Sequence, residues 1–163
     1  MTATHTRKPK VYLETTLFNY YFDKDRDAHA DTVKLFKQIA AGKYEAFTSR
    51  HVIDELEDAL EPKRGQMLAL IPEYGITVLE PSDAAERLAD IYITEKIIPP
   101  HKREDALHIA IASVNKLDMI FSLNFRHIVK ARTIVETGKI NLSLGFTAIE
   151  LNSPMGIEKD ENT

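Results

Sequence analysis

Short apolar runs alternate along this chain with longer stretches of helical periodicity. The apolar runs lie at residues 11–13, 44–48, 75–79 and 119–122, and they have the length and composition of buried strands. Between these runs, apolar residues recur every three or four positions. Because parallel strands require a crossover, which is usually a helix, the alternation predicts an α/β fold, a three-layer α/β/α sandwich around a mostly parallel sheet.

Residues with strong capping or breaking preferences set the limits of the predicted helices. Ser49 and Ser82 are of the type that begins helices, whereas glycine and proline end them. The helix after Ser49 is expected to turn Leu60 toward the core. The helix predicted at residues 103–117 is apolar on nearly every side, which indicates a buried position. The predicted helices cover residues 25–42, 49–60, 62–72, 83–97 and 103–117, and a candidate fifth strand lies between residues 142 and 151.

Composition indicates one soluble globular domain. The chain has 163 residues, of which 44% are apolar, and this is enough for a single hydrophobic core. We expect a flexible basic segment at residues 1–9, a folded domain at 10–152 and a polar tail at 153–163. The chain has no cysteine, residues 1–10 are polar and basic, and no apolar run approaches the roughly 18 residues of a membrane span. We therefore expect no secretory leader, no membrane association and a cytoplasmic location.

The net charge of −4 argues against a protein whose whole surface binds nucleic acid. Any contact with nucleic acid must therefore be local. Each basic patch is, taken alone, more typical of a solvated surface. The candidate patches are Arg7-Lys8-Lys10, Lys63-Arg64, Lys102-Arg103 and Arg126/Lys130/Arg132.

Polar residues at the carboxyl ends of the predicted strands are the first candidates for a functional role, because open parallel sheets bind ligands there. Glu14 follows the first strand, Glu55 lies one turn beyond the second, Asp105 begins the buried helix and Asn124 follows the fourth strand. Glu14 interrupts an apolar strand and has no basic neighbour in sequence. These four residues are therefore the predicted site.

Alternative interpretations exist for each acidic residue. A carboxylate beside an apolar helix, such as Asp105, is costly to bury without a partner, but it can also complement the helix dipole. Glu55 lies among other acids and, by spacing alone, is a solvated surface residue. His108 shares a helical face with Asp105, and a hydrogen-bonded core histidine is favoured over a metal ligand or general base. His51 is expected at the surface or at a helix end.

Four ordered segments resemble the PIN-domain family. They are Tyr-Leu-Glu-Thr-Thr at residues 12–16, Thr-Ser-Arg-His-Val-Ile-Asp-Glu-Leu at 48–56, Asp-Ala-Leu-His-Ile-Ala-Ile-Ala at 105–112 and Phe-Ser-Leu-Asn-Phe at 121–125. The resemblance is closest to the VapC-type toxins of toxin–antitoxin pairs. It implies a metal-dependent ribonuclease that uses Mg²⁺ or Mn²⁺.

The resemblance also implies roles for individual residues. Glu14, Glu55 and Asp105 match the family's acidic metal ligands, Asn124 matches its fourth catalytic position, and Thr15 and Ser122 match supporting positions. The family usually has aspartate at the position of Glu14 and often at that of Asn124. The extra methylene of Glu14 moves the first carboxylate, and the amide of Asn124 removes a charge.

The expected partners follow from the same resemblance. An RNA substrate, an antitoxin protein and a second copy of the chain in a homodimer are implied. The aromatic run Tyr20-Tyr21-Phe22 is a candidate partner groove, with core packing and base stacking as alternatives. A catalytically impaired PIN-like domain that binds RNA or serves in assembly is the rival function, whereas a receiver or phosphatase is disfavoured because the first strand ends in glutamate.

Overall fold

A computed structural model describes residues 7–124 and 131–155. Five strands and seven α-helices lie in these residues, and a 3-10 turn at Pro100–Lys102 precedes the sixth helix. The strands are β1 (Lys10–Leu13), β2 (Glu45–Ser49), β3 (Thr77–Leu79), β4 (Met119–Phe121) and β5 (Glu150–Asn152). The helices are α1 (Thr15–Phe22), α2 (His29–Ala40), α3 (Arg50–Glu57), α4 (Lys63–Glu73), α5 (Asp83–Thr94), α6 (Arg103–Val114) and α7 (Ala131–Ser143).

The five strands form one parallel sheet in the order β3-β2-β1-β4-β5. The chain moves outward from β1 through β2 to β3, and then crosses back to β4 and β5 on the other side. Because parallel crossovers are right-handed, the two directions place α1–α4 on one face of the sheet and α5–α7 on the other. The predicted α/β/α sandwich with a parallel sheet is confirmed.

The core is packed against both faces of the central strand. Val11, Tyr12 and Leu13 of β1 are fully buried, and α6 buries eight consecutive residues from Ala106 to Ser113. A helix in this position must be apolar on most sides, so the prediction of a central buried helix is confirmed. Tyr92 of α5 links α6 to α7, because its hydroxyl lies 3.4 Å from Oγ of Ser113 in α6 and donates to Oδ1 of Asn141 in α7.

Several predicted boundaries were wrong because local contacts override the apolar pattern. The single helix predicted at residues 25–42 is α2 alone, and a separate helix, α1, starts directly after Glu14. Leu60 lies beyond α3 and is 85% exposed, not turned toward the core. The helix α7 was not predicted, and its last two residues, 142 and 143, lie in the stretch where the fifth strand was expected. That strand is confined to Glu150–Asn152.

The ends of the chain and one internal stretch lie outside the described residues. These are residues 1–6, 125–130 and 156–163, which include most of the predicted basic N-terminal segment, most of the polar tail and the basic residues Arg126 and Lys130. Arg7, the first described residue, donates to both carboxylate oxygens of Asp118 at 2.8 Å. Within the described ranges, every helix is too short or too polar to cross a membrane.

Candidate active site

The candidate site lies where the direction of the sheet connections changes. The chain leaves β1 toward β2 and leaves β4 toward β5, in opposite directions, and this opens a crevice at the carboxyl ends of the two neighbouring strands. Glu14 stands at that point, and its backbone N–H donates to the carbonyl of Phe121 at 3.1 Å. The topology therefore places Glu14 beside the residues that follow β4.

Glu14 is held in a fixed orientation by one of its two carboxylate oxygens. It is the N-cap of α1, and its Oε1 accepts hydrogen bonds from the backbone N–H of Thr16 at 3.1 Å, from the Thr16 hydroxyl and from the Ser122 hydroxyl at 2.7 Å. The side chain is only 5% exposed. Among the described residues, Oε2 receives no hydrogen bond, so this oxygen is free to bind a ligand.

Glu55 is positioned in the same way from the second turn of α3. Its Oε1 accepts from the Thr15 hydroxyl at 2.6 Å and lies 3.1 Å from Nε2 of His108. Burial by itself would raise the pKa of Glu55, but these hydrogen bonds and the positive potential of His108 and His51 outweigh it and lower the pKa. Glu55 is therefore ionised near neutral pH.

Asp105 has no such partners. It lies in the first turn of α6, is about half-buried, and its carboxylate receives no hydrogen bond or ion pair from the described residues. Burial, together with the charges of Glu14 and Glu55, raises the pKa of Asp105, whereas His108 and Lys102 oppose that shift. A half-buried acid that is repelled by two other acids and forms no ion pair with the described residues is an unfavourable arrangement unless a ligand compensates it.

His108 lies between the three carboxylates. It is 2% exposed, its Nδ1 is 2.7 Å from the Tyr12 hydroxyl, and its Nε2 faces Glu55. Burial would lower the pKa of His108, but the Glu55 hydrogen bond and the charges of Glu14, Glu55 and Asp105 raise it overall. The favoured expectation of a hydrogen-bonded core histidine is confirmed, and this imidazole also contacts the predicted site.

His51 was expected at the surface or at a helix end, and it lies in the first turn of α3 with a side chain that is 22% exposed. Its Nε2 is in ion-pair contact with Glu104 and lies 3.9 Å from Oε1 of Glu55. Within the described ranges, one group of three ionisable side chains has ligand atoms that all lie within 4.8 Å of one another. It consists of His51, Glu55 and His108. Sequence reasoning missed this group, although the four-residue spacing of His51 and Glu55 was a signal for it.

The other predicted residues differ in how directly they reach the acids. Ser122 donates its hydroxyl to Glu14 and Thr15 donates to Glu55, so both predicted supporting residues contact predicted ligands. Asn124 is exposed, and its backbone N–H donates to the Ser122 hydroxyl at 2.9 Å. Its link to Glu14 therefore runs through Ser122.

The donor chemistry of these residues fits a divalent cation. Hard cations such as Mg²⁺ and Mn²⁺ prefer carboxylate oxygens and retain several waters. Glu14 and Glu55 each use one oxygen for internal hydrogen bonds and leave Oε2 without one among the described residues, and Asp105 uses neither. A divalent ion held by the free oxygens would offset the repulsion that raises the pKa of Asp105.

A cavity of about 710 Å³ opens where α5, the 3-10 turn and α7 meet. Lys96, Lys102 and Arg132 supply positive charge to its lining, and isoleucine and proline side chains supply apolar walls. The charge of Lys102 also acts on Asp105, which connects the cavity electrostatically to the carboxylates. Of the predicted basic patches, Lys102 and Arg132 belong to this cavity, whereas Arg103 is paired with Glu86 and Asp90.

Known proteins share the fold of this chain. The PIN domain family model matches residues 11–132. None of the curated proteins is a significant sequence match. The fold is similar to VapC20 of Mycobacterium tuberculosis, described as a toxin that cleaves the sarcin-ricin loop, at 15% identity and a TM-score of 0.54 over 72% of this chain and 93% of that one.

A second similar fold is that of VapBC2 from Rickettsia felis bound to a DNA fragment from its promoter. Here the identity is 15% and the TM-score 0.52, over 88% of this chain and 98% of that one. At this identity the two structures establish the fold alone. The family model covers most of the chain, including Glu14, Glu55, Asp105 and Asn124. The chain therefore belongs to the PIN-domain family.

Proposed function

We propose that this protein is a metal-dependent endoribonuclease that hydrolyses RNA phosphodiesters. The observation that carries the proposal is Asp105, a half-buried carboxylate that is electrostatically opposed by Glu14 and Glu55 and has no cation partner among the described residues. Such an arrangement is unfavourable by itself and becomes favourable with a divalent ion. The match to the PIN family model supports nuclease chemistry for this set of acids.

Glu14, Glu55 and Asp105 would hold Mg²⁺ or Mn²⁺ in this proposal. When bound, the ion would activate water and neutralise charge on the scissile phosphate. Thr16 and Ser122 fix the carboxylate of Glu14, and Thr15 and His108 fix that of Glu55, so that the acids are oriented before substrate arrives. Asn124 stands at the rim and would contribute an uncharged amide at the fourth position.

The cationic cavity beside Asp105 supports RNA as the substrate. Lys96, Lys102 and Arg132 would bind phosphates, while the apolar walls would accept an unstacked base. A single-stranded or looped RNA presents both features, whereas the bases of a regular duplex are not accessible to such a cavity. Without positive charge nearby, the carboxylates would repel the phosphate backbone. The basic side chains of the cavity and the bound metal ion would together offset this repulsion.

We further propose a biological role as the toxin of a toxin–antitoxin pair that acts on cytoplasmic RNA. The folds of the two VapC structures support this role. The partners would be an antitoxin protein encoded beside this chain and a second copy in a homodimer. An arginine from the antitoxin could form charge-assisted hydrogen bonds with the free oxygens of Glu14, Glu55 and Asp105 and so compete with the metal.

The test is an RNA cleavage assay on a panel of structured and unstructured RNAs with Mg²⁺, Mn²⁺ or excess chelator. Metal-dependent cleavage within single-stranded or loop regions is expected. Glu14→Asp should keep a measurable share of activity because it keeps a carboxylate, and Glu14→Ala should lose it. RNA binding without cleavage in either metal would instead support the rival function of a catalytically impaired RNA-binding module.

A further inference from the structure

We propose that His51, Glu55, Glu104 and His108 form a second metal site, one that takes a transition-metal ion of the Zn²⁺ type. The site differs in chemistry from the proposed carboxylate site because two of its four donors are imidazole nitrogens. Nitrogen ligands favour Zn²⁺ over Mg²⁺, whereas an all-oxygen set does not. Only Glu55 belongs to both sets.

Two distances within the cluster are close to those between the ligands of a tetrahedral ion. With zinc–nitrogen and zinc–oxygen bonds of about 2.0–2.2 Å, the ligand atoms of a tetrahedral site lie about 3.4 Å apart. Oε1 of Glu55 lies 3.1 Å from Nε2 of His108 and 3.9 Å from Nε2 of His51, and these two values bracket the required one. The two imidazole rings have centroids 5.0 Å apart and an interplanar angle of 50°. His51 and Glu104 lie closer together than about 3.4 Å, so this pair of side chains would have to separate when the ion binds.

The backbone already holds these donors together. His51 and Glu55 are four residues apart on α3 and share one of its faces, and Glu104 and His108 are likewise four residues apart on α6. The two helices thus each present one histidine and one carboxylate to the same point. Glu104, which contacts Nε2 of His51, is exposed enough to supply the fourth ligand atom without a cost in burial.

The far side of His108 is arranged like that of a typical metal-binding histidine. Its Nδ1 is 2.7 Å from the Tyr12 hydroxyl, and that hydroxyl is 2.7 Å from Oγ of Ser49. With the proton on Nδ1 donated to Tyr12, the lone pair of Nε2 is available to an ion. Hydrogen bonds of this kind orient metal-binding imidazoles and increase their affinity. A proton on Nε2 of either imidazole would be released to solvent on binding.

Binding at this site has a consequence for the proposed ribonuclease. A bound Zn²⁺ would draw Oε1 of Glu55 away from the Thr15 hydroxyl that orients this carboxylate, and would thereby move Oε2 out of position for Mg²⁺ or Mn²⁺ and inhibit cleavage. This consequence rests on the proposed function, but occupancy of the site does not. Zinc binding and RNA cleavage can therefore succeed or fail independently.

The test measures metal binding to the full chain without RNA. Co²⁺ serves as the spectroscopic probe, since four-coordinate Co²⁺ absorbs visible light far more strongly than six-coordinate Co²⁺, and Zn²⁺ is then titrated against it. We expect a four-coordinate Co²⁺ spectrum that Zn²⁺ removes at one equivalent. His51→Gln should weaken Zn²⁺ binding by at least about tenfold, on the scale of lost metal-site contacts.

Two variants complete the experiment. His101→Gln removes an exposed histidine outside the cluster and should bind Zn²⁺ as the unmodified chain does. Asp105→Asn changes only the proposed carboxylate site and should keep the four-coordinate spectrum. A six-coordinate Co²⁺ spectrum, or equal Zn²⁺ affinity in His51→Gln and the unmodified chain, would overturn the inference. A four-coordinate Co²⁺ spectrum in a protein that cleaves no RNA would overturn the proposed ribonuclease function and leave the second metal site standing.

Discussion

Replacing Tyr12 by phenylalanine tests whether the hydrogen bonds beneath the site stabilise the fold. The Tyr12 hydroxyl is buried and bridges two other buried groups, Oγ of Ser49 and Nδ1 of His108, each at 2.7 Å. Because burial raises the pKa of Tyr12 well above its ordinary value, the hydroxyl stays protonated and can donate to one partner while accepting from the other. The phenyl ring keeps the packing and removes only these two bonds.

The magnitude follows from the two bonds lost. An ordinary buried hydrogen bond contributes about 0.5–1.5 kcal/mol, and a buried group left without a partner costs about 1–3 kcal/mol. Ser49 keeps the backbone N–H of Val52 as a donor, whereas Nδ1 of His108 has no other partner among the described residues. Tyr12→Phe should therefore lower the free energy of unfolding by about 2–3 kcal/mol, which corresponds to roughly 4–12 °C in Tm for a chain of this length.

Urea denaturation followed by circular dichroism gives the measurement, with an unchanged m-value as the criterion that only stability has altered. Tyr74→Phe is the matched control. It removes the same hydroxyl from a partly exposed tyrosine bonded at 2.7 Å to Tyr21, where water can replace the bond, so its loss should stay below about 1 kcal/mol. A loss below about 0.5 kcal/mol for Tyr12→Phe would show that the Tyr12 bridge does not contribute as argued.

Three further predictions address pH, capping and RNA binding. The pKa of His108 is raised in the folded protein, so this residue stabilises the fold below its ordinary pKa of 6.5, and that stability is lost as pH rises through its folded pKa. The pKa of Glu55 is lowered in the folded protein, so its contribution to stability is lost as pH falls below its ordinary pKa of about 4.5. Metal-free unfolding free energies from pH 3 to 9 should therefore be highest between these limits, and His108→Gln should flatten the alkaline decline. Ser82→Ala removes the N-cap of α5 and should lower the free energy of unfolding, measured in urea, by about 1 kcal/mol. The rate of RNA cleavage should stay unchanged, and a changed cleavage rate would contradict the assigned site. Lys102→Gln should weaken RNA binding and reduce its dependence on salt concentration, whereas an unaltered salt dependence would exclude the cavity as the binding surface.

The sheet could be predicted from sequence because its signal is local. Short apolar runs bounded by polar residues identify β1, β2 and β4, and their alternation with helices determines that neighbouring strands are parallel. The helix α1 was missed because its start depends on Glu14, whose carboxylate caps the backbone of Thr16. Glutamate is an uncommon N-cap, and its role here follows from where the strand ends, not from residue type.

The site could be predicted only in part. Glu14 and Asp105 stand out because an isolated acid within or beside an apolar segment is unusual. Glu55 lies among other acids and was singled out by resemblance to the PIN family, and the contacts of Thr15 and His108 with it depend on distant segments. The contact between the His51 and His108 rings joins α3 and α6, and no pattern within either helix reveals it.

The central claim is that the free carboxylate of Asp105 serves to hold a divalent ion for RNA cleavage. The most direct measurement is single-turnover cleavage of one susceptible RNA by the unmodified chain and by Asp105→Asn across a Mn²⁺ titration, with Mn²⁺ binding followed in parallel by electron paramagnetic resonance. We expect Asp105→Asn to stay folded, to bind Mn²⁺ at least about tenfold more weakly and to cleave at background rates. Cleavage that persists in excess chelator, or full activity in Asp105→Asn, would contradict the central claim.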